Sequence, residues 1–206
     1  MRHPNVGGVL RTTAVALILA LAVACGEDSA SAPERSATEH NAADVTFASE
    51  MLQHHAQALS MVDLTLDRPL DPEVQDIAEQ VRAAQAPEIQ TFSEWLTDWD
   101  EPIPETMRDH SNAGHDMEHM GESMEGLDTS MPGMMSADEM TALEEAPDGE
   151  FQAMWLDMMI EHHRGAVEMA QAETEDGQYE PAVELAEDVI DTQSAEIEAM
   201  EALLPS

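Results

Sequence analysis

Phe47, Met51, Ala58 and Met61 recur at helical spacing with His54 among them, while strand-like alternation and β-branched runs are absent. That spacing predicts a helix over about 43–66 that stops before Arg68-Pro69. Asp71 should cap a second helix over about 72–97, with Pro72 in its first turn, where proline forfeits only an amide that has no helical partner. Pro87 lies inside that helix and predicts a kink. A second pair follows, one helix over 148–175 opened by Asp148 and ended by Gly177, the other over 180–203 started by Pro181. Two antiparallel hairpins with amphipathic faces pack most simply as an all-α four-helix bundle.

Set against itself at an offset of 108 residues, the chain matches without a gap. Met51, His54, His55, Ala58 and Met61 fall on Met159, His162, His163, Ala166 and Met169; Gln85 and Glu88 fall on Gln193 and Glu196. Each half is therefore one supersecondary unit that needs the other to cover its apolar face. Between them, residues 99–146 form an insert too long for an ordinary connection inside a compact domain. Only Ser136 to Glu139 there has the form of a capping box, opening a short helix to about Glu145. Residues 101–134 are expected to be dispensable for the helical core.

The first 24 residues add a localisation. Arg2 and Arg11 precede the apolar run Ala14–Ala24, which is too short to span a bilayer and has the build of an export signal. Small residues directly before Cys25 resemble a bacterial lipobox, so Cys25 is expected to be acylated and to anchor the chain to the lipid bilayer, with residues 25–41 as a flexible tether. The alternative is a secreted protein in which Cys25 is incidental. The domain proper then covers residues 42–206 on the extracytoplasmic face of the cell membrane.

Charge removes several partners. Seven arginines stand against 44 acidic residues, and loss of Arg2 and Arg11 with the signal leaves five. Nucleic acid would meet a repelling surface and is excluded as a partner, whereas cations are attracted. No phosphate loop, dinucleotide fingerprint or serine-nucleophile motif occurs, so a non-enzymatic protein is expected. With a single cysteine, thiolate clusters are excluded too, and any soft metal must be held by the 16 methionines and nine histidines.

On a helical projection Met159, His162, His163, Ala166 and Met169 share one arc of about 120° on the core-facing side, and the repeat puts Met51, His54, His55 and Met61 on the matching face. Equal distance from the hairpin turns sets the histidine pairs level with Gln85 and Gln193, and Met51 and Met159 level with Glu88 and Glu196. Three readings of this face compete. The methionines are core filler and the histidines are neutral, held by Gln85, Glu88 and their mates; or thioether and imidazole bind Cu(I); or the face is a di-iron site. The last needs Glu-x-x-His, which occurs nowhere in the chain. In the insert, His115, Met117, His119 and Met120, then Met131, Met134 and Met135, alternate soft ligands without apolar periodicity. Core packing does not account for them, and a low-complexity insert competes with a copper or silver site.

The segments Met159 to Met169 and Met51 to Met61, with Met131-Pro-Gly-Met134-Met135 ahead of the second His-His pair, resemble the domain of unknown function 305 family over about residues 41–204. The resemblance implies a ferritin-like bundle, export, and the copper binding and tolerance linked to some members. Matched by position, the implied ligands are Met51, His54, His55, Met61, Met159, His162, His163 and Met169. The expected function is a lipoprotein that buffers or chaperones Cu(I), and also Ag(I), with a copper-accepting protein or a second copy of the chain as candidate partner. The alternative is a structural or interaction protein of the cell envelope. Cu(I) affinity at the bundle histidines is expected to fall as pH drops through about 6.5.

Overall fold

The computed structural model describes residues 33–112 and 130–204. Among them the structure is helical throughout: α1 (Ala42–Asp63), α2 (Pro72–Asp98), α3 (Met107–Asn112), α4 (Ala137–Glu144), α5 (Asp148–Asp176) and α6 (Glu180–Leu203). Helices α1 and α2 pack as one antiparallel hairpin, α5 and α6 as another, and α1 lies against α5. Local chemistry sets the ends. Asn41 caps α1 by accepting from the Ala43 and Asp44 amides, and Asp44 returns the bond to the Asn41 amide. Ser136 and Glu139 form the expected box at α4. Asp71 does stand at the α2 N-cap, but its carboxylate accepts from Gln152 of α5 instead of the first-turn amides. Helix α2 runs through Pro87 as a single element.

Helix α3 is absent from the sequence-based expectation. Its signal is Thr106 and Asp109, whose side chains exchange bonds with each other's backbone amides in the manner of a capping box. The tether also departs from expectation in its last part. Ser36 accepts from the Glu180 amide and donates to the Gln178 carbonyl, Arg35 donates to the Thr174 carbonyl, and His40 stacks on Trp99. A segment rich in Ser and Glu has no apolar period, but its backbone still pairs across the α5–α6 turn; residues 25–32, with Cys25, lie outside the described part. Among the described residues no helix is long and apolar enough to cross a membrane.

Two apolar clusters fill the interior. One gathers Met61, Val62, Val74, Ile77, Val81, Leu143, Phe151, Trp155, Met159 and Met200. The other gathers Phe47, Met51, Leu52, Phe92, Leu96, Ala166, Met169, Ala182, Ala186 and Val189. Along each long helix the stretch between the clusters carries the repeated polar residues, so the core is divided by one polar layer.

Candidate metal centre

His54, His55, His162 and His163 have no exposed surface, and Gln85, Gln193 and Glu196 are buried with them. They form the polar layer. Met51 and Met169 belong to the apolar cluster on one side, Met61 and Met159 to that on the other. The layer thus has imidazole in the middle and thioether on both flanks, as the helical projection predicts.

Of the expected partners, the glutamates hold the histidines and the glutamines do not. His55 Nε2 lies 2.6 Å from Glu88 Oε2, and His163 Nε2 lies 2.9 Å from Glu196 Oε2. The glutamates, set level with the methionines by turn counting, hold the histidines instead. In an antiparallel pair each side chain leans toward the N-terminus of its own helix, so a glutamate one turn farther from the hairpin reaches back to the imidazole. Gln85 has no partner for either amide atom, and Gln193 none for its Oε1. They do not secure the histidines.

A carboxylate accepts, so His55 and His163 present Nε2–H to it. His54 does the same to the Pro132 carbonyl at 3.0 Å. In all three rings Nδ1 is then a bare lone pair, and each is buried without a hydrogen-bond partner. His162 has no partner at either nitrogen, and its ring lies 3.7 Å, centroid to centroid, from that of His54. Burial first, then the neighbouring His55, pushes His54 down to about 3. Burial, then His54, holds His162 well below its ordinary value. Both are neutral across the physiological range, the form in which imidazole ligates. The expected loss of Cu(I) affinity near pH 6.5 therefore does not apply to this pair, because no proton is there to compete until far lower pH.

The insert divides into two parts. His115, Met117, His119 and Met120 lie outside the described residues. Met131, Met134 and Met135, expected in a segment that packs with nothing, are buried, at 7%, 9% and 5% exposure. Met131 and Met134 join one apolar cluster and Met135 the other, so the loop between them crosses the edge of the polar layer. Its path depends on Gly133, at φ 70°, and Gly165. A Cβ on Gly133 would lie 2.6 Å from the Glu161 carbonyl, and one on Gly165 would overlap the Pro132 carbonyl. Gln57 closes the clamp by bonding both the amide and the carbonyl of Met135. Periodicity is blind to a loop of this kind, since its methionines are buried by tertiary contact and not on a helix face. The 108-residue repeat does carry a trace: Gln57 and Gly165 are mates that differ.

The profile of the domain of unknown function 305 (DUF305) matches residues 44–204. The chain belongs to the DUF305 family. Similar solved structures include a DUF305 fragment from Deinococcus radiodurans, 27% identical over 79% of this chain and 95% of that one, with a TM-score of 0.63. Another is a candidate secreted DUF305 protein from Streptomyces coelicolor, 30% identical over 78% and 91%, TM-score 0.64. A third is CopM in its Cu(I)-bound form, 26% identical over 77% and 93%, TM-score 0.58; Cu(II)-bound and silver-bound forms of CopM are similar as well. No curated protein matches the chain. Among the described residues of this DUF305 protein, no three His, Cys, Asp or Glu side chains converge as a preformed metal centre.

Proposed function

We propose that this DUF305 protein is an extracytoplasmic lipoprotein, anchored through Cys25, that holds Cu(I), and also Ag(I), as a buffer or chaperone without turnover. The observation that carries the reading is the row of bare nitrogens. Buried polar atoms are ordinarily paired, and a metal-ligating histidine typically donates its other N–H to a carboxylate or carbonyl. His54, His55 and His163 have that arrangement, and His162 is wholly unpaired. The four imidazoles would supply nitrogen ligands, and Met51, Met61, Met159 and Met169 thioethers that favour the soft monovalent ion. Glu88 and Glu196 would fix ring orientation and raise ligand basicity. Met117, Met120, His115 and His119 would collect metal from the insert. Copper and silver binding by CopM, with the family's helical fold, supports this assignment; the same reading takes the two hairpins as a ferritin-like four-helix bundle.

A structural role competes at three of the four histidines, where Glu88, Glu196 and the Pro132 carbonyl satisfy one nitrogen each of His55, His163 and His54. Titration against a competing Cu(I) chelator separates the two. Replacing the four histidines by Gln should remove the tightly held fraction and leave the insert's weaker one. Unchanged Cu(I) retention by that folded variant would leave the histidines structural. Separately, Cys25→Ser should move the protein from the membrane fraction to the medium; retention in the membrane would refute the anchor alone.

A further inference from the structure

A pocket of about 460 Å³ opens between the N-terminal half of α1 and the C-terminal half of α5. Glu50, Glu168, Glu173 and Asp176 line it with Met169 and Pro132, and Thr46, Phe47 and alanines of both helices complete the wall. Among the described residues no basic side chain lines it. The carboxylates alone would be a solvated face, but Glu173 is different: it is 1% exposed, and neither oxygen accepts from any N–H or O–H donor. Its neighbour Asp44 is fully served by the Asn41, Gln178 and Tyr179 amides and has no donor to offer. Arg35 donates to the Thr174 carbonyl, and its charge offsets only a small part of the effect on Glu173. Room for the Glu173 carboxylate is made by Gly177, where a Cβ would overlap it. Gly177 ends α5 at φ −68°, so space and not a left-handed turn explains the glycine. Burial pushes Glu173 up to about 9, with Asp44 adding to the effect. Glu173 therefore carries its proton at neutral pH and can donate it to Asp44, and a cation that displaces the proton would satisfy the carboxylate left behind.

The inner wall of the pocket is Pro132, whose carbonyl holds His54, and His54 stands against His162. We infer that this pocket is a vestibule that receives a soft metal cation on its way to the His54–His162 pair, with the Glu173 carboxylate and the Met169 thioether as first contacts. The inference rests on the proposed soft-metal reading and adds the path and a new contact residue. Acidic walls raise the local cation concentration, and the thioether selects the soft ion from among harder ones. The metal would then pass to the bare Nδ1 of His54, whose Nε2–H stays on the Pro132 carbonyl.

The test is rapid mixing of the full chain with Ag(I), a chelator quench after milliseconds to seconds, and measurement of the metal retained. The fraction missing from a His54→Gln/His162→Gln protein defines the buried share. Glu173→Gln removes the carboxyl that can give up its proton to a cation, and Ala172→Phe, at an exposed lining position, plugs the pocket without touching a carboxylate. Both should slow loading of the buried share by about tenfold, with endpoint affinity unchanged. Loading of either variant at the wild-type rate overturns the vestibule. So does a loss of affinity in Glu173→Gln that matches its loss of rate, which would make Glu173 a resting ligand. Failure of the wild type to retain any buried metal would instead sink the metal reading, and the vestibule with it.

Discussion

The two hairpins match at His55–Glu88 and His163–Glu196 and part company one turn away. In the first, His54 is tied to the Pro132 carbonyl and Gln57 grips the backbone of Met135. In the second, His162 has no partner and Gly165 yields its side-chain space to Pro132 and Gly133. One loop therefore breaks the symmetry of the site, and it does so through a single differing pair of repeat mates. Duplication of a helical hairpin yields two similar sets of buried side chains; wedging the insert against them makes one half secured and the other open.

Removing the wedge should have the largest effect. Deleting residues 101–134, once expected to be harmless, takes away the burial of Met107, Met131 and Met134 and strips His54 of its acceptor. At about 2 kcal/mol for each buried methionine, the loss is about 6 kcal/mol, comparable to the whole stability of many domains. Chemical denaturation followed by circular dichroism should show a collapsed or absent cooperative transition. A melt equal to wild type would mean the loop only rests on the surface.

A point change can test the same contact more gently. Gly165→Ala sets a methyl group against the Pro132 backbone, which has no side chain to swing away, and should cost about 3 kcal/mol. Gln57→Leu leaves the Met135 amide and carbonyl buried and unpaired, at about 2 kcal/mol. Since both act by releasing one loop, the double variant should cost less than the sum. Full additivity in a double-mutant cycle would break the claim that the two mates serve one device.

Much of this was legible in the chain. Helix boundaries follow from Pro72, Gly177 and Pro181, and the histidine face follows from the period and the repeat. Turn counting misassigned Glu88 and Glu196 because it located Cα atoms and ignored the lean of the side chains. Met131, Met134 and Met135 were misread for a deeper reason: a loop's burial depends on what it lies against, and Gly165, Gln57 and Glu173 acquire their roles only when distant segments meet.

The unequal histidines give a smaller and opposed pair of effects. His54→Leu leaves the half-buried Pro132 carbonyl without its donor and should cost about 1 kcal/mol. His162→Leu removes two unpaired buried nitrogens and should be neutral or gain up to about 1 kcal/mol. If stability alone explained these residues, the second change would have no drawback; on the proposed function it should lower Cu(I) or Ag(I) retention as much as the first. Equal destabilisation by both would erase the distinction between the halves.

The effect of pH, a little over 1 kcal/mol per pH unit for each group, has a sign that can be worked out. His54, pushed to about 3, and His162, also lowered, bind fewer protons folded than unfolded once pH falls below their ordinary value of 6.5. Their contribution is complete above that value and is lost as pH drops from 6.5 toward 3. Glu173, raised from 4.5 to about 9, binds more protons folded than unfolded in between, so its contribution is lost as pH rises through that window. Below 6.5 the two histidines outweigh the one acid, and above 6.5 the acid acts alone. Stability of the metal-free protein should therefore peak near pH 6.5 and decline on both sides. Urea melts at pH 5, 6.5 and 8.5 would check it: Glu173→Gln should flatten the alkaline limb and steepen the acid one, while His54→Leu and His162→Leu should each shallow the acid limb alone. An acid limb untouched by His162→Leu would mean that this imidazole titrates as freely folded as unfolded, and that the open half of the layer is not sealed from water.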